Sequence, residues 1–329
     1  AHKNKKMRGI FTPLLLDAIQ DTLRESKQVI LFQNRRGYAP REMCMVCSWT
    51  PMCKKCDVSL TIHKYNPTMK CHYCGYTTKR VENCSACGSP KMSKLGIGTQ
   101  KIEEELFMHL GKEIRVKRMD WDTTRKKTSF QNIIDQFEQK EIDILVGTQM
   151  VSKGLDFDHV GLVGVIQADD LLHYPDFRAY ERCFQLLTQV SGRSGRKNER
   201  GKVILQTFDP YHWVIKKVME YDFKSLYKQE LADRKHFKYP PYFKLIKLVL
   251  VHKSSNYLLV GANNLAIELK KRLGERVLGP EFTIIPRINN YYNQQILIKV
   301  ENTLSLIKVK DFVQLTVNRW SKKEGNKSI

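Results

Sequence analysis

Residues 141–157, EIDILVGTQMVSKGLDF, run from a short apolar strand into a loop of small, hydroxyl and basic side chains. Ile144, Leu145 and Val146 form the continuous apolar run expected of a strand buried on both faces of a parallel sheet. The loop behind it carries Thr148, Gln149, Lys153, Gly154 and Asp156. Small and hydroxyl residues in that position let backbone amides approach a phosphate closely. Moving outward, QVILFQN (28–34), VGLVGVIQ (160–167) and GKVILQTF (201–208) read as further strands. Helical periods lie between them: TQKIEEELFMHL from Thr99, TSFQNIIDQFEQ from Thr128, and 177–190. An earlier helix begins at Thr12 as N-cap with Pro13 in the first turn, followed by an apolar stripe of Leu14, Leu15, Ala18, Ile19 and Leu23. Strands alternating with helices predict an α/β body with a mostly parallel sheet.

Two other segments carry more than packing. In QNRRGYAP (33–40) a buried strand empties into two arginines and a glycine, where βα loops commonly face ligands. In QLLTQVSGRSGR (185–196) a helix runs into a glycine turn that sets Arg193 and Arg196 three residues apart. Two guanidinium groups on one loop suit the charge that develops on a transferring phosphoryl group.

Eight of the nine cysteines fall in four C-x-x-C pairs: Cys44/Cys47, Cys53/Cys56, Cys71/Cys74 and Cys84/Cys87. Two thiolates two residues apart can turn onto one tetrahedral Zn²⁺ at ~2.3 Å, and two such pairs close a structural site. Four pairs therefore predict two zinc ions. Cys56 and Cys71 are separated by fourteen residues that include the strand-like VSLTIHKY, the span of a zinc ribbon. That spacing favours one ion shared by the inner pairs and a second held by the outer pairs, with sequential pairing as the competing connectivity. Disulfides and redox C-x-x-C chemistry are disfavoured in a chain with no secretory pattern at its start. His63 and His72 could replace a thiolate, but eight cysteines already complete two sites. Cys183 lies in a helical pattern and reads as a small buried apolar residue.

The formal charge of +22, from 56 basic and 34 acidic residues among 329, points to a polyanionic partner. The excess is spread along the chain, and no run of ~18 apolar residues offers a membrane span. Lys54, Lys55, Lys64, Lys70, Lys79 and Arg80 alternate with Trp49, Tyr65, Tyr73 and Tyr76 around the cysteines, a mixture suited to a single strand. Beyond HFKYPPYFKL, residues 241–329 read as strand, helix, strands, helix, enough for a small α/β domain. HFKYPPYFK and RINNYYNQQ can each be read as base-stacking surfaces or as domain packing.

Taken in order, QNRRG, VGTQMVSKGLDF and QVSGRSGR resemble motifs IV, V and VI of the second RecA-like lobe of superfamily 2 helicases. The four C-x-x-C pairs inserted between NRRGYAP and GIGTQKIEEEL, followed by RMDWDTT, resemble the PriA family of bacterial primosomal replication-restart helicases. The resemblance implies a second motor lobe (1–43 and 93–240), interrupted by a two-zinc module (44–92) and followed by a C-terminal DNA-binding domain (241–329). It implies the nested zinc pairing, with Cys44, Cys47, Cys84 and Cys87 on one ion and Cys53, Cys56, Cys71 and Cys74 on the other. It further implies arginine fingers at Arg193 and Arg196, nucleotide contacts at Gly154 and Asp156, and lobe coupling through Gln189. DNA-backbone contacts are implied at Arg35, Gly98, Thr148 and Gln149. The implied activity is 3′–5′ unwinding driven by ATP with Mg²⁺ in the cytoplasm, on branched and single-stranded DNA at the nucleoid. Primosome proteins and single-stranded DNA-binding protein are the implied partners.

A P-loop, G-x-x-x-x-G-K-[ST], is not found in these residues. Gly111-Lys112 and Gly201-Lys202 lack the upstream glycine, and VGVIQADD, ending in Asp169 and Asp170, reads as a second-lobe strand rather than a magnesium-binding pair. AHKNKKMRG resembles a link from a first lobe, so the resemblance implies the rear portion of a longer protein. A non-catalytic zinc-containing scaffold with a degenerate motor lobe is the alternative, and a zinc-bearing translocase of another pathway a third. The 329-residue chain by itself is predicted to turn over no ATP, with or without DNA, in a phosphate-release assay.

Overall fold

The computed structural model describes residues 7–33, 41–63, 66–95, 98–120, 123–124, 127–148, 157–173, 175–192, 201–323, 326 and 329. In chain order, α1 (Pro13–Arg24) leads into β1 (Gln28–Gln33). The cysteine-rich stretch holds β2 (Arg41–Cys44), β3 (Thr61–His63), β4 (Asn66–Lys70), β5 (Thr77–Lys79) and β6 (Met92–Leu95). Then come α2 (Thr99–Leu110), β7 (Val116–Met119), α3 (Lys127–Glu138), β8 (Ile144–Gly147) and β9 (Val160–Ile166). They are followed by α4 (Asp169–Leu172), α5 (Ala179–Ser191), β10 (Lys202–Leu205), α6 (Trp213–Met219) and α7 (Phe223–His236). The chain ends with β11 (Phe243–His252), α8 (Ser255–Leu273), β12 (Val277–Ile288), β13 (Tyr291–Glu301) and α9 (Leu306–Ser321). No helix among the described residues is long and apolar enough to cross a membrane.

Two compact units divide the chain: 1–38 with 96–230, and 39–95 with 231–329. The first is built on a five-stranded parallel sheet in the order β10-β9-β1-β8-β7. β1 and β8 are buried along their whole length, as their unbroken apolar runs require. Alternate strand residues serve opposite faces. Ile30, Phe32, Leu145, Val163 and Val165 pack beneath α3, α5 and α6, while Val29, Leu31, Ile144, Val146 and Leu162 pack beneath α1 and α2. Each large side chain buried this way contributes ~1.5–3 kcal/mol. Gly164 in β9 is a packing requirement: a Cβ there would lie 2.7 Å from Leu31 Cδ2 and 2.9 Å from Leu15 Cδ1.

Helix starts follow their caps. The Thr12 hydroxyl accepts from the Leu15 backbone N–H at 3.3 Å, and Pro13 occupies the first turn, where an N–H would be unpaired in any case. β7 is the element that the sequence conceals. Lys117 and Arg118 interrupt its apolar pattern because it lies at the sheet edge, and Arg118 is held by Glu103 at 3.0 Å and Asp120 at 3.1 Å. Cys183 is fully buried in the core, and burial, followed by the Asp169 charge, pushes its thiol up to about 12.

In the second unit, β11, β13 and β12 form an antiparallel sheet in that order, with a core shared by α8 and α9 around Leu258, Leu265, Leu269, Ile296, Ile298 and Trp320. Ser254 and Ser305 cap the two helices. β12 and β13 are joined by Asn289 and Asn290, whose φ values of +51° and +67° form the two-residue type I′ turn that Asn tolerates. The cysteine-rich stretch makes a three-stranded ribbon, β3-β4-β5, above a stem in which β2 pairs antiparallel with β6.

The α/β architecture expected from the sequence is present in both units. Its register depends on buried polar ties as well as apolar contact. The Gln28 side-chain amide, 4% exposed, donates to the Phe137 carbonyl at 2.7 Å and to the Ile142 carbonyl at 2.6 Å, closing the connection between α3 and β8. Gln28→Met keeps the volume but removes a donor from each carbonyl, leaving that of Phe137 with the Lys140 N–H alone. It should destabilise the first unit by ~1–3 kcal/mol, measured as a lower denaturant midpoint with an unchanged slope.

Candidate metal centres and nucleotide edge

Each C-x-x-C pair folds as a tight knuckle. The N–H of the first cysteine donates to the carbonyl five residues on: Cys44 to Trp49 at 2.8 Å, Cys53 to Val58 at 2.9 Å, Cys71 to Tyr76 at 2.8 Å and Cys84 to Ser89 at 2.9 Å. In three knuckles the fourth residue after the first cysteine turns back onto it: Ser48, Gly75 and Gly88 donate to the carbonyls of Cys44, Cys71 and Cys84 at 2.9, 3.0 and 2.8 Å. All three of those residues have positive φ, +61°, +75° and +73°, which explains two glycines. Backbone N–H groups of Val46, Lys55 and Ala86 also point at the sulfurs of Cys44, Cys53 and Cys84, at 3.3–3.4 Å. At Cys44 and Cys53 these bonds favour thiolate over thiol.

The knuckles converge in two groups, Cys44, Cys47, Cys84 and Cys87, and Cys53, Cys56, Cys71 and Cys74. Within each group all four sulfurs lie within 4.8 Å of one another. Closest approaches are 3.6 Å for Cys44 with Cys87, 3.5 Å for Cys47 with Cys84 and 3.6 Å for Cys53 with Cys74. A tetrahedron with Zn–S of ~2.3 Å places its sulfurs about 3.8 Å apart, so both groups fit zinc. The grouping is the nested one, and sequential pairing is excluded by it. His72 belongs to neither group, and the His63 side chain lies outside the described residues.

The two sites differ in their surroundings. Cys53, Cys56 and Cys71 are buried with Leu60 and Met69, whereas Cys47 and Cys87 of the outer site are exposed. Burial, reinforced by the sulfurs of Cys74 and Cys71, pushes the Cys56 thiol up to about 12, with the Asn289 backbone N–H pulling the other way. A dication offsets that burial cost by turning crowded thiols into ligated thiolates. Glu42, fully buried, pairs with Arg80 and ties the stem to the end of the ribbon. Lys54, Lys55, Lys70, Lys79 and Tyr73 remain exposed around the ribbon.

In the first unit, parallel pairing sets the carboxyl ends of all five strands along one edge, where ligands of open α/β sheets bind. β1 and β8 are neighbours, with Phe32 opposite Gly147, so the two strands end side by side. Thr148 donates its backbone N–H to Met119 at 3.4 Å. One residue past Met119, Asp120 accepts from Thr99 Oγ1 at 2.6 Å and from the Thr123 backbone at 3.0 Å. Gly98 is the N-cap of α2, immediately before Thr99, and a Cβ there would meet nothing within 4 Å. Gly98 and Thr148 are thus brought to either side of the Met119–Asp120 corner. Gln189 lies exposed in the last turn of α5. Arg35, Gln149, Gly154, Asp156, Arg193 and Arg196 lie outside the described residues.

The Asp169 carboxylate serves the fold. It accepts from Thr207 Oγ1 at 2.6 Å and from the Phe208 N–H at 3.1 Å, pinning α4 to the segment after β10. In the second unit, Lys299 of β13 donates to the Phe237 carbonyl at 2.7 Å and stands 3.8 Å over the Tyr239 ring. Arg287 of the RINNYYNQQ stretch pairs with Asp57 at 2.9 Å. That contact has no local sequence signal, because its partners are 230 residues apart.

A model of the PriA DNA helicase Cys-rich region matches residues 53–79, which span the inner sulfur group, and a model of the helicase conserved C-terminal domain matches residues 92–198. The replication restart protein PriA of Bacillus subtilis is 41% identical over 301 residues, 91% of this chain and 37% of that protein. PriA of Synechocystis is 40% identical over 306 residues, with 91% and 37% covered. PriA of Thermotoga maritima is 36% identical over 301 residues, with 91% and 40% covered.

The chain belongs to the PriA family. It spans about two fifths of the length of these PriA relatives. Residues 92–198 include β7, β8 and β9 of the parallel sheet. Metal analysis of this PriA-family chain should find two zinc ions per chain. Cys53→Ser combined with Cys74→Ser should lower that to one, since both belong to a single group; loss of both ions would indicate sequential pairing.

Proposed function

We propose that this chain serves as the second motor lobe of an ATP-dependent 3′–5′ DNA helicase that restarts replication at stalled forks. The observation that carries this reading is the shared carboxyl edge of β1 and β8, whose last residues, Gln33 and Gly147, begin the QNRRG and GTQMVSKGLDF segments. Family membership supplies the reaction class. On this reading Gly154 and Asp156 face the nucleotide, and Arg193 and Arg196 neutralise the charge that develops on its terminal phosphoryl group. Gln189, in the last turn of α5, couples nucleotide state to lobe movement.

ATP and its Mg²⁺ are held mainly by a P-loop lobe facing this edge, where they supply the phosphoryl group and the charge that the arginines meet. Arg35, Gly98, Thr148 and Gln149 track the DNA backbone, where contacts position a strand without reading its sequence. An open N-cap at Gly98 supports that role, because a backbone N-terminus with no side chain over it suits a phosphate oxygen. The lysines and Tyr73 around the ribbon suit single-stranded DNA, and residues 241–329 serve as the branched-DNA-binding domain. Primosome proteins and single-stranded DNA-binding protein are the proposed partners, in the cytoplasm at the nucleoid.

The test is Arg193→Ala in a protein carrying both motor lobes. DNA-stimulated ATP turnover should fall by ~10³-fold or more, the scale of an arginine finger, while DNA binding at low salt persists. Turnover within a few-fold of the parent would overturn the arginine-finger assignment, and a parent with no DNA-stimulated turnover would favour a zinc-bearing scaffold.

A further inference from the structure

Of the four cysteine knuckles, the one at Cys53 is built differently. Its fourth residue, Asp57, does not take the positive φ of Ser48, Gly75 and Gly88, and its N–H does not return to the cysteine carbonyl. It donates instead to the carbonyl of Arg287 in β12 at 2.9 Å. The type I′ turn between β12 and β13 supplies the rest of the closure. The Asn290 N–H donates to the Lys55 carbonyl at 2.7 Å, and the Asn289 N–H donates to Cys56 Sγ at 3.1 Å. Arg287 pairs with Asp57, and Ile288 packs against the cluster of Cys53, Cys56, Leu60, Met69 and Cys71.

We propose that the Asn289–Asn290 turn is an outer-sphere partner of the inner zinc site, so that filling this site and docking the C-terminal hairpin are one coupled equilibrium. A metal-bound thiolate is a much stronger acceptor for a backbone N–H than a neutral sulfur, and groups bonded to first-sphere ligands govern how firmly a metal is held. The type I′ conformation aims two consecutive N–H groups outward from the hairpin end, one at a sulfur and one at a carbonyl of the same knuckle. The outer site receives N–H groups from Val46 and Ala86, both within its own knuckles, and two of its four sulfurs are exposed. The inner ion therefore leaves more slowly than the outer one, and its departure loosens a hairpin more than two hundred residues away in sequence.

Zinc release from the full 329-residue chain, followed with a chromogenic chelator, should be biphasic with one ion in each phase. Arg287→Ala and Asp57→Ala should each accelerate the slow phase about tenfold and leave the fast phase unchanged, and the double variant should be no faster than either single one. A slow phase indifferent to both substitutions overturns the proposal. Hydrogen exchange on the unsubstituted chain gives a measurement free of folding defects. Removing zinc should speed exchange at the amides of Asp57, Asn289 and Asn290 at least tenfold while the β11–β13 ladder keeps its protection. Equal exchange at those three amides with and without zinc would sink the coupling.

Discussion

Parallel pairing of β1 with β8 on one side and β9 on the other is the constraint on which the first unit depends. Parallel neighbours cannot be joined by a tight turn, so their connections are long crossovers, and α2, α3 and α5 within those crossovers cover the sheet. Residues 28–33 and 144–147 must then be buried on both sides, and they are. The same pairing leaves the segments behind β1, β8 and β9 at one edge.

How much of this was legible follows from how local each signal is. α2 begins at Thr99, as its period requires, and Thr12, Pro13 and the apolar stripe behind them mark α1 to within a residue. β7 is hidden because an edge strand tolerates Lys117 and Arg118, whose charges erase the apolar run. The first turns of α8, SNYLLVGA, give no clear helical period, because Tyr257, Leu259 and Val260 are exposed apolar residues that blur it. The fourteen-residue span between Cys56 and Cys71 favours the cysteine grouping but leaves sequential pairing open, and it is the convergence of the sulfurs that decides it. The contribution of Arg287, Asn289 and Asn290 is not, since no periodicity links Asp57 to a turn 230 residues later. RINNYYNQQ is open to base stacking or packing as a sequence; the structure engages Arg287 and the two asparagines in the inner knuckle.

The two sulfur groups also show how a small module with little apolar interior holds its shape. Among its described residues the ribbon has few large buried side chains, Leu60 and Met69 foremost, far too few to offset the chain entropy of residues 44–92. Knuckle hydrogen bonds orient the thiols, but four crowded sulfurs resist ionising together, as the elevated Cys56 shows. Metal charge resolves that conflict, so the module's fold and its metal are parts of one free energy.

β2 and β6 have a consequence beyond the metal sites. Their register, Arg41 with Leu95 and Cys44 with Met92, holds the two ends of the cysteine-rich excursion at the spacing of adjacent strands, ~5 Å. Closing a loop becomes only slowly costlier with its length, and here the closure is made by the stem whatever lies beyond it. From the sheet's side the excursion is equivalent to a short βα connection. Such a stem is a graft point: the cassette beyond it can be lengthened, trimmed or exchanged while strand order and crossovers in the parallel sheet stay as they are.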